Sequence, residues 1–206
     1  MRPVQAALLL MLPGLGAAAD GDALAAVRAL PATATLDARL EQRALRPGDE
    51  AAEATVLHGR LVLDPPRWYL RLTDPEKDGW RQTLRGDGRV WEDIEVLGPD
   101  QDPRVERHTG DEAAIERTLA LVRRDLDRLD RDFALSATAA ADGWRLGLAP
   151  RDPAWGWTRA ELTLDPAGRV VQAVVEEKEG VRKTILVLSA TYGAAVDPVL
   201  FKGLGP

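Results

Sequence analysis

The chain contains no cysteine, which excludes disulfide staples, thiolate metal centres and a lipid attached through an N-terminal cysteine. Packing alone must hold it together. It has two histidines, His58 and His108, with no second histidine at helical spacing, so each reads as an ordinary side chain rather than a metal ligand. It lacks any G-x-S-x-G element, the usual mark of a serine hydrolase on an α/β sheet. Gly86-Asp87-Gly88 has neither the further glycine nor the following helix of a phosphate loop, and reads as a hairpin turn. Glu92, Asp93 and Glu95 are close in sequence, but neighbouring strand positions point to opposite faces, and acids are plentiful in this chain. No catalytic site, metal or other cofactor is expected.

Long apolar runs are also missing. Ala6 to Leu15, interrupted by Pro13 and Gly14, is too short to span a bilayer, which takes about 20 helical residues. With Arg2 before it and Ala17-Ala18-Ala19 after it, the run has the pattern of a secretory signal peptide cleaved after Ala19. Residues 20–206 are then expected to form a single exported domain. The full 206 residues carry a net charge of −6, and losing Arg2 with the signal takes this to −7. An acidic balance argues against nucleic acid and against an acidic membrane surface as partners.

Aromatic residues make up 5% of the chain, and six of them are tryptophan: Trp68, Trp80, Trp91, Trp144, Trp155 and Trp157. They fit two readings, fillers of a β core or flat walls of a site for an apolar ligand.

The clearest pattern is a meander from Leu57 to Val96. Its turns are marked by Asp64-Pro65-Pro66, Asp74-Pro75 and Gly86-Asp87-Gly88. Trp68, Leu70 and Leu72 share one face, and Tyr69 and Arg71 the other. Before it, Asp22 caps an expected short helix through Leu30, ended by Pro31. From Thr35 the period becomes two, with Leu36, Ala38 and Leu40 opposite Asp37, Arg39 and Glu41, and a second strand starts near Ala54. After the meander, Val105–Thr109 carries no clear pattern. A single apolar stripe then joins Ile115, Leu119, Val122, Leu126, Leu129 and Phe133, predicting one helix over 111–133. Under three heptads is short for a coiled coil, so the sheet is its expected partner. Strands follow over 144–148, 158–164, 170–177 and 181–189, with turns at Asp165-Pro166-Ala167-Gly168 and Glu177-Lys178-Glu179-Gly180. Strands without intervening helices make an antiparallel sheet, and the fold class is α+β.

Several segments, in this order, resemble the periplasmic outer-membrane lipoprotein carrier family, LolA. They are the N-terminal helix with Leu36–Gln42, then Gly59-Arg60-Leu61-Val62-Leu63 closing on Pro66, and Trp68–Leu72 with Asp74-Pro75. Asp87-Gly88 before Val90-Trp91, Trp144–Pro150 and Val196–Phe201 complete the set. The resemblance implies an incomplete, half β-barrel covered by helices over an apolar cavity that receives the acyl chains of lipoproteins or another lipid. It also implies a periplasmic monomer moving cargo from an inner-membrane donor to an outer-membrane acceptor protein. The expected cavity residues are Leu36, Leu40, Leu61, Leu63, Trp68, Leu70, Leu72, Leu84, Trp91, Trp144, Leu146, Leu162 and Leu164. Leu24, Val27, Ile115, Leu119, Val122 and Leu126 belong to the expected lid or plug helices. Two departures stand out. Pro65 occupies the place of an arginine that helps control lid opening in the family, leaving Arg67, two residues on, as the candidate gating residue. The 111–133 helix is also longer than the family's. Two other functions remain open: a sensor or regulatory module on the same fold, and an envelope hydrolase using Glu92 or Asp93.

Overall fold

Short runs of alternating residues separated by tight turns build most of the chain into strands. A computed structural model describes residues 20–31, 34–109 and 123–204. Helix α1 (Asp20–Ala29) precedes strands β1 (Leu36–Leu45), β2 (Thr55–Asp64), β3 (Arg67–Thr73), β4 (Arg81–Gly86), β5 (Val90–Val96) and β6 (Arg104–Thr109). Helix α2 (Leu126–Asp132) leads into β7 (Phe133–Ala140), β8 (Gly143–Pro150), β9 (Trp157–Leu164), β10 (Val170–Glu177) and β11 (Arg182–Tyr192). Among the described residues the eleven strands form one open antiparallel sheet, ordered β6-β5-β4-β3-β2-β1-β11-β10-β9-β8-β7. Two meanders, β1–β6 and β7–β11, are joined where the first strand pairs with the last. The Val105–Thr109 segment, which carries no clear periodicity, falls within edge strand β6, whose Arg-Val-Glu-Arg-His-Thr sequence keeps charge on an open edge.

Three expectations change. Asp22 lies inside α1 rather than capping it. Of the helix expected over 111–133, residues 111–122 lie outside the described residues, and the remainder is not continuous. Arg124 takes a left-handed conformation (φ 55°), and a new helix starts after Asp125, whose side chain accepts from the Arg128 N–H at 3.1 Å. Phe133, the last member of the apolar stripe, begins β7 instead of ending a helix. Its segment, Phe-Ala-Leu-Ser-Ala-Thr-Ala-Ala, is rich in alanine, a strong helix former, so composition hides an alternation that pairing with β8 enforces.

Packing explains the break. Phe133 is fully buried, with its ring 4.8 Å from Trp155 edge-on and 5.0 Å from Trp157 in a stack. A helix continuing through this residue would withdraw the ring from both tryptophans. Arg124 is 4% exposed, and its Nη2 donates to the carbonyls of Leu30 and Pro31, tying the end of α1 to the start of α2. Burial pushes its pKa down, opposed by the charge of Asp165. Arg28 adds a second tie, reaching Asp127 at 3.0 Å and Asp130 at 2.8 Å.

Three aspartates fix turns and strand pairs, and each is held below the ordinary carboxylate range. The Arg60 hydrogen bond does this for Asp37, the Glu76 N–H foremost for Asp74, and the Val90 N–H foremost for Asp87. The stability they contribute is complete above the unfolded aspartate value of about 3.9 and is lost as pH falls through the lower folded values. A thermal midpoint followed from about pH 6 to about pH 2 should therefore drop below about pH 4, and Asp87→Asn should flatten the drop. An unchanged slope in that variant would remove Asp87 from the account.

Candidate functional site

Ladder register assigns each strand residue to a face. On β11, β1, β2, β3, β4, β5 and β6 in turn, Tyr192, Leu36, Leu63, Trp68, Gly86, Trp91 and His108 stand directly across from one another. The next row on the same face runs Ala190, Ala38, Leu61, Leu70, Leu84, Asp93 and Glu106. A third runs Val187, Leu40, Gly59, Leu72, Gln82, Glu95 and Arg104. Across β10, β9, β8 and β7 the same face carries Ala173, Leu162, Leu146 and Ala137. All thirteen expected cavity residues thus lie on one face of one sheet.

They divide between two packed clusters. Leu146, Leu162 and Leu164 lie in a cluster that also holds Val27 and Leu126, with Trp144 and Leu24 packed against it. This is the core beneath α1 and α2. Ile115, Leu119 and Val122 lie outside the described residues. Leu36, Leu61, Leu63 and Trp68 form the second cluster with Ala38, and Leu40, Leu70, Leu84 and Trp91 pack against it while staying partly exposed. Leu72 is half-buried on the same face and covers Gly59, where an added Cβ would lie 3.1 Å from its Cδ2. No residue of α1 or α2 belongs to this second cluster.

Trp155 and Trp157 answer the core reading of the tryptophans, since they pack with Phe133 in the first cluster. Trp68 and Trp91 belong to the second. The Trp68 indole lies over Gly86, and the Trp91 ring stacks on His108 at 3.9 Å and 7°. Sequence reasoning missed Val187, Ala190 and Tyr192, which join this cluster from β11. Their strand reads Ile185-Leu186-Val187-Leu188, an apolar run without alternation, so its facing was not legible. A bulge between Arg39 and Leu40 of β1 shifts the register and leaves Leu188 58% exposed.

Arg67, the candidate gating residue, lies apart from the thirteen. As the neighbour of Trp68 it points to the opposite face, where it pairs with Asp64 and sits 4.9 Å over the Phe201 ring. The opposite face is charged. Asp37 accepts from Arg60 at 3.0 and 2.7 Å, and Glu92 accepts from Arg85 at 2.9 and 2.7 Å, with Arg107 at 3.8 Å. Arg85 also donates to the carbonyl of Lys202, and Arg107 to those of Gly203 and Leu204, strapping the C-terminal segment across this side. Glu92 and Asp93 therefore stand on different faces, and Asp93 accepts from Gln82 at 2.9 Å. Among the described residues, no helix is long and apolar enough to cross a membrane.

No family model and no curated protein matches the chain. Solved structures with which it shares similarity include a LolA superfamily protein from Nitrosomonas europaea, at 11% identity and TM-score 0.43, covering 89% of this chain and 97% of that one. A DUF1329 family protein from Desulfovibrio piger is similar at 10% identity and TM-score 0.44, covering 88% and 95%. MucB, solved in complex with MucA, is similar at 14% identity and TM-score 0.43, covering 90% of this chain and 60% of that one. At these identities the likeness is one of fold alone.

Gly86 offers a direct test of how tightly the aromatic row is packed. A Cβ there would lie 2.6 Å from Trp68 Nε1 and 2.7 Å from Cε2, and the indole is too buried to swing away. Gly86→Ala should destabilise the protein by about 1–3 kcal/mol in denaturant unfolding, as overpacking does. Gly156→Ala, with nothing within 4 Å of the new methyl, should stay within about 0.5 kcal/mol of the parent.

Proposed function

We propose that the protein is a periplasmic carrier that takes the acyl chains of lipoproteins, or another lipid, onto the apolar face of a half-barrel and passes them toward the outer membrane. The observation that carries this reading is the second cluster. Leu40, Leu70, Leu72, Leu84 and Trp91 form a contiguous apolar surface that stays partly exposed, outside the cluster that α1 and α2 complete. An ordinary core closes over such side chains. A surface that receives a flexible chain must keep them within reach. Burial of an acyl chain contributes about 0.8 kcal/mol per CH₂, enough to keep a lipidated client in solution. Because apolar contacts have little directionality, a more apolar acceptor surface can draw the chain onward without covalent chemistry. The resemblance of the sequence to lipoprotein carriers points the same way.

Protein purified from its native periplasm should yield acyl lipid on solvent extraction and mass spectrometry, and should bind fluorescent fatty-acyl probes. Leu84→Glu, which sets a charge among Leu61, Leu70 and Trp91, should weaken probe binding at least about tenfold. Leu188→Glu, on the exposed bulge, should bind as the parent does. A protein that carries no lipid and excludes the probes, or that forms a stable stoichiometric complex with another protein without moving lipid, would end the carrier reading.

A further inference from the structure

Among the described residues, the apolar face contains one sealed polar atom with nothing to bond. Trp91 Nε1 is sealed from solvent and has no hydrogen-bond partner. An indole N–H only donates, so its complement is an acceptor oxygen. A buried donor left unpaired loses its hydration without compensation, and native structures rarely carry one without a reason. Of the other such atoms in the described residues, which belong to Arg123 and Arg124 beside the helices, Arg124 Nη1 has a structural explanation. It is wedged against Gly168 while Nη2 of the same group bonds the α1 terminus. Trp91 has no comparable tie, and its ring plane is held by the stack on His108.

Its position in the rows gives the chemistry of what it would meet. Toward β2 and β3 the face is leucine and tryptophan, whereas toward β5 and β6 it turns to Asp93, Glu106 and Glu95, with Arg104 across from Glu95. A chain lying over Leu61, Leu70 and Leu84 would bring its polar end to this boundary. The excess of carboxylates there repels a free fatty acid or a phosphate and tolerates a neutral group. Resting on the lipid-binding reading above, we infer that Trp91 Nε1–H donates to the carbonyl oxygen of a neutral acyl ester or amide, selecting acylated lipids over free acids and over ethers.

Monopalmitoylglycerol and its hexadecyl ether analogue differ in that carbonyl and share chain and headgroup. The parent protein should bind the ester roughly tenfold more tightly than the ether, and Trp91→Phe should bind both at the ether's level. The indole N–H resonance of Trp91 in the parent should move downfield with the ester and stay in place with the ether, a readout that does not depend on the variant folding. Equal affinity for ester and ether, or an unmoved resonance, overturns the carbonyl contact while leaving the lipid-binding face intact. Binding of neither lipid overturns both.

Discussion

Strand β1 hydrogen-bonds along one edge to β2, which follows it in the chain, and along the other to β11, its most distant strand. Without that second pairing the two meanders would be separate sheets, each with an open edge inviting other chains. With it, ten residues of β1 align both halves so that their apolar faces coincide. The bulge at Arg39/Leu40 is part of the same constraint. On one side of it Ile185 and Val187 share the apolar face, and on the other Ala190 and Tyr192 do. An unbulged ladder would turn one of these pairs to the charged side.

The charged side has its own role in holding this alignment. Asp37 and Arg60 stand on neighbouring strands, and Glu92 lies between Arg85 and Arg107 on three successive strands. The more exposed Asp37–Arg60 pair contributes little, about 0–1 kcal/mol, whereas Glu92 is buried, and in both cases unlike charges on paired strands penalise a slipped register. Arg85 and Arg107 then spend further donors on carbonyls of the closing segment, which ends with Phe201 and Leu204 buried. A segment poor in regular structure thereby obtains partners for its backbone.

Most of the facing was legible because strand parity is strict. From Trp68, Leu70 and Leu72 one can count along the turns of the first meander from Leu36 to Trp91, and separately along the second from Leu146 to Leu162, but no turn joins β1 to β11 to carry the count from one to the other. The count failed where the local signal was ambiguous. Leu126, Leu129 and Phe133 keep helical spacing although a strand begins at Phe133, because an apolar residue every third or fourth position also fits a short helix running into a strand. The division of the face into two clusters was not legible at all. It depends on where α1 and α2 sit, and period-two alternation says nothing about what lies above a sheet.

On the proposed carrier reading, that division separates stability from use. Phe133, Leu146, Leu148, Leu162 and Leu164 are closed from water under the helices, and burial at about 25 cal/mol per Å² of apolar surface makes this half a source of folding free energy. Leu40, Leu70, Leu84 and Trp91 withhold part of that contribution by staying open. If the second cluster were as closed as the first, a ligand could enter only by unfolding it, and exchange would be as slow as unfolding. In the proposed carrier, the first cluster and the β1–β11 seam hold the sheet, so that a lipid exchanging apolar contacts on the second half leaves the register that defines its face fixed.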